Sequence, residues 1–324
     1  MADDIWTVKR VLEWIEGYLG NHADDNPRLS AQWLVSEALG VSRMQLFLDM
    51  ERPLSADERA VLRDWTRRRG TGEPLQYLTG SVDFRYITLK VRKGALIPRP
   101  ETEVLVSEAL ALLPAVEKPQ AALDRELLAR LVELGEIEEG QLPDEDVSDE
   151  LLVADICTGS GCIACSIAHE RPHARVIATD ISPDAVELAR ENASALGLDG
   201  RVDVIECDLG EGVDPSLLGR FDLVVSNPPY VPTSVLAEMP REVSDFEPRL
   251  ALDGGSDGLD VFRRILAWCA RALKPNGGFA FELHESCLDA AAAEALQAGF
   301  TDVRIVEDLA GKPRVLIGRA SQPR

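Results

Sequence analysis

From Trp6 to about Gly72 the apolar positions recur at helical spacing. Val8, Val11, Leu12, Ile15 and Leu19 share one face of a 3.6-residue period, and Trp33, Leu34 and Ala38 repeat it before a stop at Gly40. Ser55-Ala-Asp-Glu58 has the form of a capping box ahead of Val61, Leu62 and Trp65. The pattern predicts a small helical domain over residues 1–80, with Arg67–Arg69 as a solvated helix end. The period then changes to two. Val82, Phe84, Tyr86 and Thr88-Leu-Lys-Val91 predict a β-hairpin, which leads into Leu96-Ile-Pro-Arg-Pro-Glu-Thr-Glu103. Pro98 and Pro100 keep that linker extended, so residues 81–103 form a hairpin-and-linker unit. A helix from Glu103 to Leu113 is expected next.

Beyond Leu151 the chain alternates strand and helix. The apolar runs Leu151–Ile156, Val176–Ala178, Val202–Ile205, Phe221–Val225 and Gly278–Leu283 are short and do not alternate. Strands buried on both faces read this way, so a doubly wound parallel α/β sheet over residues 151–324 is expected. Val303–Val306 and Arg314–Ile317, separated by Gly-Lys-Pro, predict an antiparallel ending. Between the two regions, residues 117–150 carry twelve acidic and three basic side chains around a stripe of Leu123, Leu127, Leu128 and Leu131. Residues 104–150 are therefore expected to be a helix followed by an inserted, solvated acidic linker helix.

Length and charge narrow the partners. A chain of 324 residues favours two domains. The net charge of −22 disfavours direct nucleic-acid binding, which needs clustered Lys and Arg to neutralise phosphates. The acidic start Met1-Ala-Asp-Asp-Ile-Trp6 lacks a signal-peptide pattern, and no apolar run is long enough to span a membrane. A cytoplasmic protein is expected, with no membrane partner. Cys157, Cys162 and Cys165 have a C-x4-C-x2-C spacing also found in ferredoxins. They fall in and just after a glycine loop, where reduced buried thiols and no metal are expected.

That loop is Ala154-Asp-Ile-Cys-Thr-Gly-Ser-Gly-Cys-Ile-Ala164. Gly159 and Gly161 permit a tight turn and let a ligand lie against backbone N–H groups. Asp180 closes the next strand nineteen residues beyond Gly161, where a carboxylate can accept from two ribose hydroxyls. Together they make a nucleoside pocket. Gly159-x-Gly161-x-x-Ala164 also fits a dinucleotide fingerprint, so the loop leaves NAD and S-adenosylmethionine both open. Asp208 is a third polar group on the same rim.

The fourth strand ends in Ser226-Asn-Pro-Pro-Tyr-Val-Pro232, beside the expected switch point of the sheet. A primary amide or exocyclic amine has its lone pair delocalised and is a poor nucleophile. It carries two N–H donors, so it needs two placed acceptors. The Asn227 side-chain oxygen and the Pro228 carbonyl supply them. Pro228 and Pro229 have fixed φ and no N–H, which aims the carbonyl at little entropic cost. Tyr230 offers a flat wall for stacking. Methylation at such a clamp needs positioning and electrostatics rather than a metal or a strong base.

With these residues in hand, the chain resembles the PrmC/HemK family, the protein-(glutamine-N5) methyltransferases that modify class 1 peptide chain release factors. The likeness runs from about Ala31 through Gly72-Glu-Pro-Leu-Gln-Tyr-Leu-Thr-Gly80, Leu96–Glu103, the glycine loop and Asn227-Pro-Pro-Tyr230. It continues through Phe246–Gly255 and Pro313–Arg319. It implies a Rossmann-like class I S-adenosylmethionine-dependent methyltransferase sheet with an antiparallel last strand, plus the helical domain as the release-factor dock. It implies transfer to the Gln of a Gly-Gly-Gln loop. A monomer is expected. Cys157, Thr158, Gly159, Ser160 and Gly161 would hold the methionine end, Asp180 the ribose, and Asp208 with Leu209 the adenine. Asn227 to Tyr230 would hold the acceptor amide, and Arg99 and Thr102 would reach the cofactor from the pocket wall. Cys157 stands where the motif usually begins with Gly, as in the ribosomal protein L3 glutamine methyltransferases. His284 stands where Gly is commoner and is assigned no chemistry. The rival readings are the L3 enzyme, an N6-adenine methyltransferase, and a cofactor-binding regulator without turnover. Arg99–Glu103 with the helical domain, the acidic balance, and the intact Asn227-Pro228 pair argue against them in turn.

Overall fold

The structure is a computed structural model and describes residues 5–22, 24–114, 130 and 150–321. The acidic stripe predicted over 117–150 lies outside these residues, apart from Arg130 and Glu150.

The first region is helical, with helices Val8–Gly20, Pro27–Leu39, Arg43–Leu48, Ala56–Arg69 and Leu75–Thr79. Their apolar faces meet in one core that includes Val8, Ile15, Leu34, Val35 and Leu62. The capping box is present: the Ser55 hydroxyl accepts from Glu58 N–H at 3.2 Å, and Glu58 accepts from Ser55 N–H at 2.7 Å. Gly40 ends its helix in the left-handed conformation. One expectation is corrected. Arg67 is solvated, but Arg68 forks onto Glu73, and Arg69 pairs with Asp24 at 2.6 Å while only 10% exposed. Glu73 and Asp24 curl back under the helix end, so the basic run holds loops together.

The hairpin consists of β1 (Ser81–Phe84) and β2 (Ile87–Lys90), paired antiparallel. Helix Thr102–Leu112 follows. The remaining strands are β3 (Leu151–Ile156), β4 (Ala174–Asp180), β5 (Val202–Glu206), β6 (Phe221–Ser226), β7 (Leu273–Glu282), β8 (Thr301–Glu307) and β9 (Pro313–Arg319). They form one sheet in the order β5-β4-β3-β6-β7-β9-β8. The five strands β5 to β7 in that order are parallel, and β9 runs antiparallel to both β7 and β8. The doubly wound sheet with an antiparallel ending is therefore as expected.

Successive residues of β3 serve opposite faces. Val153 packs with helices Thr102–Leu112, Cys162–Glu170 and Pro183–Ala195. Leu152, Ala154 and Ile156 pack with helices Asp260–Ala272 and Leu288–Gln297. Burial on both sides explains why these runs lack alternation. Strand order reverses between β3 and β6, so their carboxyl ends splay and open a crevice.

Candidate active site

A cavity of about 230 Å³ lies in that crevice. Four of the five parallel strands bring residues to it at their carboxyl ends: Cys157–Ser160 after β3, Asp180–Ser182 at the end of β4, Asp208 and Leu209 after β5, and Asn227 and Pro229 after β6. The opposite wall comes from Gly94–Arg99 and Thr102, and from Pro248, Leu250, Ala251 and Asp253. Tyr77 holds the first of these walls by donating its hydroxyl to the Ala95 carbonyl at 2.8 Å.

The glycine loop is built around two carboxylates. Asp155 is fully buried in β3, and its Oδ2 accepts from the Thr158 hydroxyl at 2.6 Å and from Ala164 N–H at 3.1 Å. Burial pushes its pKa up to about 7, and those two bonds oppose the rise. Asp180 accepts from Gly159 N–H and from Ser182 N–H, each at 2.9 Å, one on each oxygen. Burial raises its pKa too. A carboxylate has about four acceptor positions, so Asp180 keeps capacity for a pair of hydroxyls. Gly159 and Gly161 have φ of +57° and +81°, and a Cβ on Gly161 would sit 3.1 Å from that of Ala189. Cys157 also adopts a left-handed φ, +63°, which explains why Gly suits that position.

Asn227 is the first residue after β6. Its Nδ2 donates to Thr102 Oγ1 at 3.2 Å, which leaves Oδ1 free to accept. The Ser226 hydroxyl donates to the Ile156 carbonyl at 2.5 Å and ties the ends of β3 and β6 together. Segment 249–255 is laid against the Pro-Pro-Tyr turn. Val231 N–H donates to Leu252 O, and Gly254 N–H donates to Val231 O, both at 2.8 Å.

The cavity thus brings together Arg99, Thr102, Cys157, Thr158, Gly159, Ser160, Asp180, Asp208, Leu209, Asn227 and Pro229. Gly161 lies behind the loop against Ala189. Pro228 and Tyr230 are not among the lining residues. Tyr230 packs toward the core beneath β7, and its hydroxyl donates to Glu282 at 3.3 Å. The Arg99 guanidinium forks onto Glu247 at 2.7 and 2.8 Å. Asp208 pairs with Arg264 at 2.7 Å.

Several supporting residues escaped the sequence reading. Asp155 and Glu282 are charges inside apolar strands, and that misplacement was itself a signal. Asn192 donates to the carbonyls of Ser160 and Lys90 and pins the hairpin to the glycine loop; nothing in its helical context marks it.

The residues fit a nucleoside with a charged amino-acid arm. An acid with spare lone pairs, the buried unpartnered hydroxyl of Ser160, and apolar Leu209, Ile163 and Val261 share one cavity. Fold and site together define a class I methyltransferase that uses S-adenosylmethionine. Family models match the PrmC N-terminal domain over residues 10–80 and the methyltransferase small domain over residues 141–239. The chain is 38% identical to a release factor glutamine methyltransferase of Geobacter sulfurreducens, over 98% of both chains. It is 37% identical to one of Caulobacter vibrioides, over 91% of this chain and 90% of that one. A crystal structure of a release factor-specific protein-(glutamine-N5) methyltransferase from Alicyclobacillus acidocaldarius is 28% identical, covering 72% of this chain and 99% of that one, with a TM-score of 0.37. On the sequence relatives, this chain belongs to the release factor glutamine methyltransferase family.

Proposed function

We propose that this enzyme moves the methyl group of S-adenosylmethionine to the side-chain amide nitrogen of the Gln in the Gly-Gly-Gln loop of class 1 peptide chain release factors. The observation that carries the reading is the orientation of Asn227. Thr102 takes its Nδ2, so an acceptor oxygen faces the crevice beside a proline-stiffened turn.

The cofactor supplies an electrophilic methyl on a sulfonium. The chain's own residues do the rest. Asp180 would accept from the ribose hydroxyls, Asp208 and Leu209 would border the adenine, and Thr158 to Ser160 would line the methionine end, with Gly161 behind them. Asn227 Oδ1 and the Pro228 carbonyl accept the two amide hydrogens of the glutamine. Holding both in plane restrains the amide and aims the nitrogen lone pair at the methyl carbon. No group need take a proton before attack; the C–S bond would break as the N–C bond forms, releasing the neutral thioether, and the methylated nitrogen would then lose one proton to water. Tyr230, with its hydroxyl spent on Glu282, stiffens the turn from behind. Arg99, held by Glu247, shapes the wall.

The helical region is the natural dock for the protein substrate. No helix among the described residues is long and apolar enough to cross a membrane. We read the enzyme as a cytoplasmic monomer that makes no direct nucleic-acid contact, on the support of its net charge of −22.

The test is incubation with methyl-labelled S-adenosylmethionine and, separately, a release factor, ribosomal protein L3 and DNA, with mass spectrometry to locate the label. The expected outcome is one methyl on the Gly-Gly-Gln glutamine. Preferential labelling of L3 or adenine would overturn the assignment.

A further inference from the structure

The order of the strands lays the cofactor out along the sheet edge. Asn227 follows β6, the glycine loop follows β3, Asp180 ends β4 and Asp208 follows β5, and these strands lie side by side in the order β6-β3-β4-β5. With the methyl group at Asn227 and the ribose at Asp180, the base falls at β5. Asp208 is there, and it does not stand alone. Arg264, on helix Asp260–Ala272, donates from Nη2 to Asp208 Oδ2 at 2.7 Å. Both residues line the cavity, as does Val261, one turn earlier on the same helix.

That helix grips the whole loop. Trp268 is buried one turn beyond Arg264, and a Cβ on Gly210 would meet its ring at 2.2 Å. Between the two contacts Leu209 adopts a left-handed φ of +51°. Such a backbone is strained for a residue other than glycine and persists only where its surroundings over-determine it. Here Arg264 and Trp268 are those surroundings. Asp208 Oδ2 is taken, so Oδ1 is the oxygen left to accept. The adjacent Leu209 N–H donates to no described backbone carbonyl. An acceptor beside a donor matches the edge of a 6-aminopurine, where an N–H donor stands beside a ring-nitrogen acceptor. A 6-oxopurine presents the reverse, so the carboxylate would meet an oxygen. The choice requires the carboxylate to stay at the cavity. Asp208 is 38% exposed, so without Arg264 it is free to turn out to water.

We propose that Arg264 is a specificity-determining residue for the cofactor: by holding Asp208 Oδ2 it keeps Oδ1 at the base edge, and so makes the site choose a 6-amino over a 6-oxo purine. This rests on the placement of the adenine at Asp208 and Leu209 proposed above. Arg264 is half-exposed, so replacing it leaves the core intact.

The experiment measures Kd by calorimetry for S-adenosylhomocysteine and S-inosylhomocysteine, on full-length wild type, Arg264→Leu, Arg264→Lys and Asp208→Ala. The two ligands differ only at the base edge, so their Kd ratio cancels any general loss of pocket shape or charge. Wild type is expected to favour the amino form by about tenfold or more, the worth of a hydrogen bond to a charged acceptor. Arg264→Leu is expected to lower that preference about fivefold, the upper range for an exposed ion pair. Arg264→Lys is expected to keep it within about twofold, because one N–H on one oxygen is a contact that an ammonium can also make. A preference in Arg264→Leu within about 1.5-fold of wild type, or a Lys variant as impaired as Leu, would overturn the proposal. Asp208→Ala separates the two ways of failing. If it lowers the preference while Arg264→Leu does not, this inference alone falls. If Asp208→Ala leaves the preference unchanged, the adenine placement falls with it.

Discussion

Single side chains carry the chemistry, and two of them can be separated by measurement. Asn227→Ala removes one acceptor of the clamp but leaves the cofactor contacts of the glycine loop alone. Its expected effect is a loss of about 100-fold in kcat with cofactor Kd changed by no more than about threefold. Calorimetry beside a transfer assay checks it, and near-normal turnover would count against the clamp. Asp180 plays a double part. It lines the cavity where the ribose is proposed to sit and also accepts from Gly159 and Ser182 N–H, so it shapes the loop beside it. Asp180→Ala is expected to weaken cofactor binding by about 3 kcal/mol, the worth of about two charge-assisted hydrogen bonds. An unchanged Kd would take Asp180 out of the site. Asp180 was legible in the sequence because it closes a strand at a telling distance from Gly161. Asp155 and Glu282 left a signal, a charge within an apolar run, but a periodicity reading scores the run and passes over the charge. The Asn227–Thr102 contact joins residues 125 positions apart, and no local pattern encodes it.

At the level of elements, the strand-helix alternation was readable and the ends of strands were not. β4 runs from Ala174 to Asp180, beyond the apolar Val176–Ala178, because backbone ladders to β3 and β5 continue where side chains are polar. Segment 246–255 offered only resemblance in sequence; in the structure it is a strap across the clamp. Gly254 shows how tight the fit is. A Cβ there would lie 2.7 Å from Tyr230 Cα and 2.8 Å from the Pro229 carbonyl oxygen. Both are backbone atoms, so the turn itself must move. Gly254→Ala is expected to cost about 1–3 kcal/mol of stability. It should also lower kcat about tenfold or more, since a shift of about 1 Å misplaces the acceptors. Melting curves and a transfer assay measure both. Wild-type kcat in a folded Gly254→Ala protein would show that the strap does not set the clamp.

Across the whole molecule, ion pairs join the helical region to the site. Arg69 bonds Asp24 and also reaches Glu242 at 3.1 Å, on the strand-linking segment that also carries Glu247, the residue that pairs with Arg99 of the pocket wall. The helical region and the pocket wall are thus each tied by an ion pair to the same segment. The arrangement was beyond the sequence reading, which saw in Arg67–Arg69 a solvated end. Global stability also carries a mark of the site. The Asp155 pKa is raised to about 7 from an ordinary value of 3.8, chiefly by burial. A proton is therefore bound more tightly in the folded state. The stability it contributes is fully present below about pH 4 and is lost as the pH rises through about 7. Asp155→Asn is neutral throughout, so its Tm relative to wild type is expected to rise between about pH 4 and pH 7. Parallel Tm curves would show that Asp155 titrates normally.

The central claim is that two oxygens at the end of β6 hold both hydrogens of an unreactive amide. A crystal structure of the enzyme with demethylated cofactor and a Gly-Gly-Gln peptide measures this directly. The account predicts the glutamine nitrogen within about 3.2 Å of both Asn227 Oδ1 and the Pro228 carbonyl oxygen, with its lone pair toward the sulfur. A glutamine amide held elsewhere, or a sulfur facing away from Asn227, would contradict it.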